Sequence, residues 1–488
     1  MYSTIISVKS YLVWRYVSSG PDKVSKAIQL VTPSSSAEAL SAALSQNPHL
    51  TSLPHPKADV IAPIDITHTS GTADLLRSPE LQVKITGDFL IIPCDLFCEL
   101  PGEALLESWI IRQRPLSMRP QSLGQINPLE STQESVRCGG VGLWFDTKGE
   151  DYVKGAESDM IIITPDAKPI IRPPTKSLRS HISKLLYASS MDTLRDTLQD
   201  KGGLPLRTGL LRKHRKIKIL TSHRAAHVYV FPYWMLNVIA KNEKFDSISE
   251  DAIGWWAKAS WQNGLAEKLR MEEAFLDSMQ SKKHLRHGTS TGVNAGANHN
   301  PPDKVTIPSI LAYLHPSASP YLIRRVDTSA LLLSTSLYLA AQPPLHEAKP
   351  SSHFAHEAKI ATDASLIAER TTIHAQSTLV GSNTTIATHC TIKSSCVGAS
   401  CTIAEGVKIT GSLLMDGVKV ETKASLQGCI LGRRCVIGKN TNLDGCEVQD
   451  GFKVDDGTVG TKGQKFCVFE GLENGLNSMQ DDETSDEQ

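Results

Sequence analysis

The sequence lacks several features that would assign it to a class at once. No apolar run approaches the roughly 20 residues of a membrane-spanning helix. The first residues, Met1 to Tyr16, interrupt short apolar stretches with Lys9 and Arg15, so no secretory signal peptide is predicted. The chain has 51 basic and 51 acidic side chains and therefore no net charge. That balance argues against a protein that binds nucleic acid through a broad cationic surface.

Paired cysteines of the CxxC type are also absent, which argues against a zinc ribbon or a thioredoxin-like site. Six of the ten cysteines fall between Cys390 and Cys446. We expect them to be small buried side chains in a reducing, cytosolic protein.

The 488 residues are enough for two or three domains. Stretches rich in Pro, Gly, Ser or Gln predict loops and a linker, and the acidic C-terminus predicts a disordered tail, because it has little apolar surface to bury. The predicted organisation is an unmatched N-terminus at 1–26, an α/β domain at 27–342 with loop insertions near 115–140 and 281–303, a linker at 343–372, a repeat domain at 373–473 and a tail at 474–488.

Apolar runs alternate with helical patterns before the linker. Two capping-box spacings, Ser35 to Glu38 and Ser247 to Glu250, predict helix starts. Strands that alternate with helices favour a doubly wound, mostly parallel sheet covered on both faces. The predicted strands are Ala27–Thr32, Phe89–Pro93, Met160–Thr164 and Val228–Phe231.

Beyond the linker, aliphatic residues recur with spacings of 6, 6 and 5, a period of 17 residues. This period fits neither an α-helix nor a simple alternating strand, but it fits three short strands per turn, each with one aliphatic side chain pointing inward. We therefore predict a left-handed parallel β-helix of roughly four and a half coils. The predicted core positions are Val380, Ile386, Ile392, Val397, Ile403, Ile409, Leu414, Val420, Leu426, Leu431, Ile437, Leu443, Val448, Val454 and Val459.

A hexapeptide β-helix also occurs in acyltransferases, which use a histidine between subunits. His374 and His389 are the candidates here, but no motif in the sequence pairs either with a carboxylate that would orient the imidazole. An acyltransferase is therefore the least favoured functional hypothesis for this chain.

The order of domains resembles the sugar-nucleotide pyrophosphorylases. It resembles more closely their non-catalytic relatives in the initiation factor 2B complex, the guanine-nucleotide exchange factor for initiation factor 2, and within that family the gamma branch. The segments that carry this resemblance are GTADLLR at 71–77, DFLIIPCDL at 88–96, HRAAHVYVF at 223–231, SISEDAIGWWA at 247–257 and LIRRVDTSALLLSTSLYLA at 322–340.

The resemblance implies a nucleotide pocket in degenerate form. In the active enzymes the segment equivalent to Gly71, Thr72 and Ala73 lies against the base and phosphates, and the residue equivalent to Asp95 holds magnesium. A carboxylate at the carboxyl end of a parallel strand can bring a hard cation to a triphosphate. The preceding residue, usually Gly in those enzymes, is Cys94 here. We predict vestigial nucleotide and metal positions, no catalytic residue and no bound cofactor.

The N-terminus departs further from the active enzymes, which open with a strand and a Gly-rich phosphate loop. Residues 1–26 contain one glycine and no such loop. Either this branch has lost catalysis or the true start lies upstream of Met1. A sheet without its innermost strand would expose unpaired backbone, which favours the second explanation.

The resemblance implies a non-catalytic assembly subunit in the cytosol. Such a subunit pairs with the catalytic epsilon subunit, joins alpha, beta and delta, and promotes GDP–GTP exchange on initiation factor 2, without direct contact to nucleic acid or membrane. The alternative is a sugar-1-phosphate nucleotidyltransferase, which requires the phosphate loop.

Overall fold

The computed structural model describes two compact units, one reaching from Ser3 to Arg325 and the other from Val326 to Gln488. Residues 115–138 of the loop predicted near 115–140, residues 287–303 of the loop predicted near 281–303, and the tail at 474–488 lie outside the described residues. Those that are described are 11–18, 24–46, 58–67, 70–102, 105–106, 109, 139–148, 153, 156–165, 177–204, 206–286, 307–317, 319, 321–344, 356 and 358–467.

The first unit is an α/β domain, as predicted. Its strands are β1 Tyr11–Ser18, β2 Val24–Val31, β3 Ala58–Ile61, β4 Phe89–Pro93, β5 Leu96–Cys98, β6 Val141–Asp146, β7 Asp159–Pro165, β8 Ile182–Ser190, β9 Lys218–Phe231, β10 Leu311–His315 and β11 Ile323–Arg325. Its α-helices are α1 Ser34–Gln46, α2 Thr72–Arg77, α3 Pro79–Lys84, α4 Met191–Lys201, α5 Thr208–Lys213, α6 Tyr233–Lys241, α7 Ile253–Ala259, α8 Leu265–Lys268 and α9 Met271–Arg286. The remaining turns are a 3-10 helix at Leu178–His181 and a π-helix at Ile248–Ala252.

The large sheet has nine strands in the order β3-β2-β1-β4-β9-β6-β10-β8-β7. The expectation of a mostly parallel sheet is wrong for neighbouring pairs, because only β2–β3 and β6–β10 are parallel. The other neighbours pair antiparallel. The reason is that β1, β9 and β8 each run against both of their neighbours in the sheet. A further pairing of β9 with β7 closes a ring of five strands.

The position expected to be vacant in the sheet is filled. Strand β1 lies between β2 and β4, with Trp14 opposite Ile28 on one side and opposite Leu90 on the other. It runs antiparallel to both. The segment YLVWRYVS is rich in the aromatic and β-branched residues that favour strands, and its pairing satisfies backbone groups that a gap would leave exposed.

Both faces of the sheet are covered, as expected. Along β4, Phe89 and Ile91 point into one apolar core while Leu90 and Ile92 point into the other. The same alternation divides Tyr229 from Val230 in β9. This two-residue period places helices α2, α6 and α7 against the first core, where Trp234 and Trp256 pack edge to face with ring centroids 5.1 Å apart.

The predicted strands and the helix start at Ser247 are confirmed with small differences in length, whereas α1 begins at Ser34, so Ser35 lies within the helix rather than before it. Phe89–Pro93 is strand β4, and Met160–Thr164 lies within β7. Ser247 does act as an N-cap, since its hydroxyl accepts a hydrogen bond from the Glu250 N–H. That cap opens a π-helical turn before α7, whose Ile253, Trp256 and Ala257 are buried as expected.

The second unit contains helix α10, Ser329–Ala341, a 3-10 turn at Ala364–Leu366 and the predicted β-helix. Two faces of the β-helix carry six strands and the third carries five, so residues 372–466 make about six turns rather than four and a half. The strands are β12 Thr372–Ile373, β13 Leu379–Val380, β14 Thr385–Ile386, β15 Thr391–Lys393, β16 Cys396–Val397, β17 Thr402–Ile403, β18 Lys408–Thr410, β19 Leu413–Leu414, β20 Lys419–Val420, β21 Ser425–Gln427, β22 Ile430–Leu431, β23 Val436–Ile437, β24 Asn442–Asp444, β25 Glu447–Val448, β26 Lys453–Val454, β27 Val459–Gly460 and β28 Lys465–Phe466.

The aliphatic repeat forms the core of the β-helix, with one exception. The predicted positions from Val380 to Val454 are all buried, but Val459 is 69% exposed. In the structure Gly460 stacks on Leu443, and Phe466 stacks on Val448 one residue later than the period requires. A Cβ at Gly460 would lie 2.7 Å from both the Cys446 sulfur and the Leu443 Cδ2 atom, so the core leaves no room for a larger residue at this position.

Polar side chains set the corners between the strands. The carboxylates of Asp416, Asp450 and Asp456 each accept a hydrogen bond from a backbone N–H one coil earlier, at 2.7 to 2.8 Å. At Gly398 a Cβ would lie 2.7 Å from the Asp416 backbone nitrogen, which explains the small residue there. The six cysteines between Cys390 and Cys446 are buried and unpaired, as predicted, and burial raises the pKa of Cys401 and Cys429 to about 11.

No helix within the described residues combines the length and apolarity that a membrane span requires.

Candidate functional site

The segment expected to contact a nucleotide forms the start of α2. Gly71 is its N-cap residue, and the Gly71 N–H donates to the Asp74 carboxylate at 3.1 Å. The Ala73 N–H donates to the Asp246 carbonyl oxygen at 2.9 Å, and the Thr72 hydroxyl oxygen accepts from the Ile248 N–H at 2.8 Å. These polar groups are thus engaged within the chain by the segment that leads into α7.

The same segment approaches Gly71 closely. A Cβ atom at Gly71 would overlap both the backbone carbonyl oxygen and the carboxylate of Asp246. Glycine is therefore required here for the packing of two chain segments, and Asp246 places negative charge beside the N-terminus of α2. An anion that approached this helix end would meet a carboxylate rather than free N–H groups.

Arg77, the last residue of the GTADLLR motif, ties α2 to the end of α6. Its guanidinium pairs with the Asp74 carboxylate and donates to the carbonyl oxygens of Ile239, Asn242 and Phe245. Carbonyl groups at a helix C-terminus lack partners within the helix, and a cation satisfies them well. The motif is therefore explained by packing and capping, with Ala73, Leu75 and Leu76 buried beneath it.

Asp95 lies in the turn between β4 and β5, where it faces Arg325 of β11. The pairing of β5 with β11 sets Leu96 opposite Arg325. The Arg325 Nε atom lies 3.1 Å from Asp95 Oδ2 and 3.3 Å from Oδ1, and a second guanidinium nitrogen also contacts Oδ2. A two-point contact of this kind neutralises the carboxylate and fixes its orientation.

This environment does not fit a resident magnesium ion. Mg²⁺ prefers octahedral oxygen ligands and repels a nearby cation, whereas Asp95 has Arg325 against it. Within the described part of the chain, no group of three or more His, Cys, Asp or Glu side chains is arranged to hold a metal ion. The role of Asp95 as a vestigial metal position stays a prediction, as does that of Gly71, Thr72 and Ala73 as a vestigial nucleotide pocket.

The structure separates the predicted site residues. Ala73 belongs to the core on one face of the large sheet, and Leu96, next to Asp95, packs against the core on the other face. His374 and His389 are both exposed on the β-helix, and His389 occupies a corner with φ +60°.

A cluster of charged residues that sequence reasoning missed lies where β7 meets β9. Arg224 is buried and pairs with Glu157 at 2.7 Å, while Asp159 accepts the Ala225 N–H at 2.7 Å. Burial raises the pKa of Asp159 to about 6, against the opposing effects of that hydrogen bond and of Arg224. A signal was present, since an arginine in the apolar strand HRAAHVYVF needs a buried partner.

Helix α10 covers one face of the β-helix. Ala340 packs with Cys396 and Leu413, which point outward from successive coils, and Leu332 and Leu333 border the same cluster. The Cys396 thiol donates to the Ser336 carbonyl oxygen at 3.2 Å. The helix is thus an integral part of the second unit.

Comparison with known proteins indicates the family to which these features point. Residues 357–459 match the family model described as the EIF2B subunit epsilon LbH domain. Over 238 residues the chain is 24% identical to the translation initiation factor eIF2B subunit gamma of Schizosaccharomyces pombe, a match that covers 49% of this chain and 42% of that protein. The chain thus spans less than half of the length of this curated relative. Together the two matches support a protein related to the translation initiation factor eIF2B.

Proposed function

We propose that this chain is a gamma-type, non-catalytic subunit of an eIF2B complex in the cytosol. It pairs with the catalytic epsilon subunit, joins alpha, beta and delta, and so promotes GDP–GTP exchange on initiation factor 2. The similarity to a gamma subunit supports this assignment over that of an epsilon subunit, although the β-helix matches the epsilon domain model.

The main support for a non-catalytic role is that the GTA segment makes its hydrogen bonds within the chain. Thr72 and Ala73 make their hydrogen bonds to Ile248 and Asp246, and Asp95 is neutralised by Arg325. Nucleotidyl transfer requires donors that are free to hold a triphosphate and a cation to offset its charge. These residues instead stabilise the fold.

The β-helix offers surface for a partner. Helix α10 covers the outward side chains of one face, among them Cys396 and Leu413. Another face presents Thr385, Thr402, Lys419 and Lys453, all exposed. We propose that pairing with epsilon uses uncovered faces of the β-helix together with the α/β domain, as an obligate interface of more than about 2,000 Å² would require.

Affinity purification of the tagged full-length chain from its source cell tests the assignment. We expect the epsilon subunit in equal amount, with alpha, beta and delta, and GDP release from initiation factor 2 by the purified complex. Purification of the chain without epsilon would contradict the proposal.

A pyrophosphate-release assay with nucleoside triphosphates and sugar-1-phosphates tests the alternative. Turnover by the purified chain would establish a nucleotidyltransferase and remove the non-catalytic assignment.

A further inference from the structure

A strongly basic surface lies on the α/β unit, although the whole chain has no net charge. We define it by six exposed residues that lie in α5, next to it, or between it and the start of β9: Arg207, Arg212, Lys213, Arg215, Lys216 and Lys218. No Asp or Glu occurs in the sequence from 201 to 242. Six cations in twelve positions therefore have no acidic neighbour on their own segment.

Packing and hydrogen bonds hold the backbone beneath this basic surface in place. Leu210 is buried with Ile162, Leu186 and Trp261, which anchors α5 from below. The Lys213 Nζ atom donates to the Ser260 carbonyl oxygen at 2.9 Å, and the Thr164 hydroxyl donates to the Lys216 carbonyl oxygen at 2.7 Å. A ligand that binds here meets cations that are already positioned, which lowers the entropy lost on binding.

The positive charge is not offset locally. Within the described residues, the ion pairs of the α/β unit involve other side chains than these six. The nearby positive charge contributes to the lowered pKa values of two neighbouring groups. Burial lowers the pKa of Lys258, with Arg207 acting in the same direction, and burial lowers the pKa of His214, with Lys213 and Lys184 adding to it.

Apolar side chains are exposed among the cations. Leu211 is 49% exposed, and Leu206 and Ile219 are also exposed. Beside them Lys258 lies 4.7 Å from the ring centroids of both Tyr187 and Trp255. Single-stranded RNA would use aromatic faces for stacking, but Lys258 already occupies these rings and aliphatic side chains do not stack with bases. A ligand that combines acidic with apolar residues matches both the positive charge of the surface and its exposed apolar side chains.

We propose that this basic surface docks an acidic segment of a partner protein, in which Asp and Glu are interspersed with apolar side chains. The carboxylates pair with Arg212, Arg215 and Lys216, and the apolar side chains cover Leu211. This interaction is separate from the pairing with epsilon and does not depend on it.

Fluorescence anisotropy with the full-length chain tests this proposal. The probe is a short labelled peptide in which Glu and Asp alternate with Leu and Phe. We expect the triple variant Arg212→Glu, Arg215→Glu, Lys216→Glu to weaken binding by about tenfold or more, and Leu211→Ser by about threefold. The matched control, Lys408→Glu, Lys423→Glu, Lys439→Glu at exposed lysines of the β-helix, changes the net charge equally and should leave the affinity unchanged.

Two competitors and a folding check make the outcomes decisive. Polyglutamate of equal charge should bind more weakly than the probe, and equal binding would overturn the apolar part of the proposal. Tighter binding of single-stranded RNA, lost in the triple variant, would assign the surface to nucleic acid instead. Circular dichroism establishes that each variant is folded, and an unchanged affinity in a folded triple variant would overturn the proposal entirely.

Discussion

Arg77 shows how a motif that resembles part of a catalytic site stabilises the fold here. Its side chain is 16% exposed and contacts one carboxylate and three carbonyl oxygens. Arg77→Ala removes the donor to the Phe245 carbonyl oxygen and leaves the carbonyl oxygens of Ile239 and Asn242 with a backbone donor only, so we expect the free energy of unfolding to fall by about 2–3 kcal/mol. Urea denaturation followed by tryptophan fluorescence measures this loss.

Arg195 provides the matched control, because it pairs with Asp192 at the same i,i+3 spacing but is 68% exposed. An exposed pair contributes little, and Arg195→Ala should cost less than about 0.5 kcal/mol. Equal losses in the two variants would mean that the carbonyl contacts of Arg77 contribute nothing.

Asp159 makes the stability of the α/β unit depend on pH. Burial raises its pKa to about 6 in the folded protein, above the value of 3.8 for a free side chain. The folded state therefore binds the proton more tightly, and the free energy of unfolding falls as pH rises from about 4 through about 6. We expect Asp159→Asn to lessen this fall by about 2–3 kcal/mol.

Urea denaturation of both proteins at pH 4 and at pH 7 measures the difference. Asp192→Asn, at an exposed carboxylate of α4, is the control and should leave the pH profile as it is. Parallel profiles for the parent protein and Asp159→Asn would show that Asp159 does not titrate in this range.

Strand existence was predictable for four of the eleven described strands of the α/β unit, while strand pairing was not. The apolar run Phe89–Pro93 is local information and marks β4 with its observed bounds. The antiparallel placement of β1 and β9 depends on pairings such as Phe89 with Arg15 and with Phe231, which are distant in sequence. For the same reason the partners of the candidate site were missed, since Thr72 and Ile248 are 176 positions apart and Asp95 and Arg325 are 230 apart.

The β-helix was more predictable because each coil pairs with the next at a fixed period of 17 residues. The prediction of Val459 was wrong because the period of 17 residues from Leu443 reaches Gly460, so Val459 lies one position early and faces outward. One inserted residue after Gly460 then places Phe466 opposite Val448. A sequence repeat identifies the phase of the coils, but choosing the nearest aliphatic residue over a glycine can misplace a core position by one residue.

A pair of valines in the last coils tests which of the two positions belongs to the β-helix core. Val454 is 1% exposed and Val459 is 69% exposed, and both lie in short strands of the β-helix. We expect Val454→Ala to lower the free energy of unfolding by about 1–3 kcal/mol, through lost burial and the cavity left behind. Val459→Ala should change it by less than about 0.5 kcal/mol. Equal losses would place Val459 in the core after all.

The division of the chain into two units assigns α10 to the β-helix, although the sequence pattern had placed the domain boundary at 342. The observed division lies between Arg325 and Val326. The β-helix core extends from Val380 to Phe466. Each unit thus has the hydrophobic core that independent folding requires.

Two fragments test whether α10 is required by the β-helix. We expect residues 326–467 to fold alone as a monomer with one cooperative unfolding transition, because α10 covers the outward-facing Leu413 and Cys396. Residues 343–467 lack the helix and expose that apolar strip on successive coils, so this fragment should self-associate. Light scattering and urea denaturation of both fragments, with Leu333→Asp in the longer one as a point variant that disturbs the same contact, measure the effect. If both fragments are monomeric and equally stable, α10 belongs functionally to the α/β domain, and the boundary at 342 is the better one.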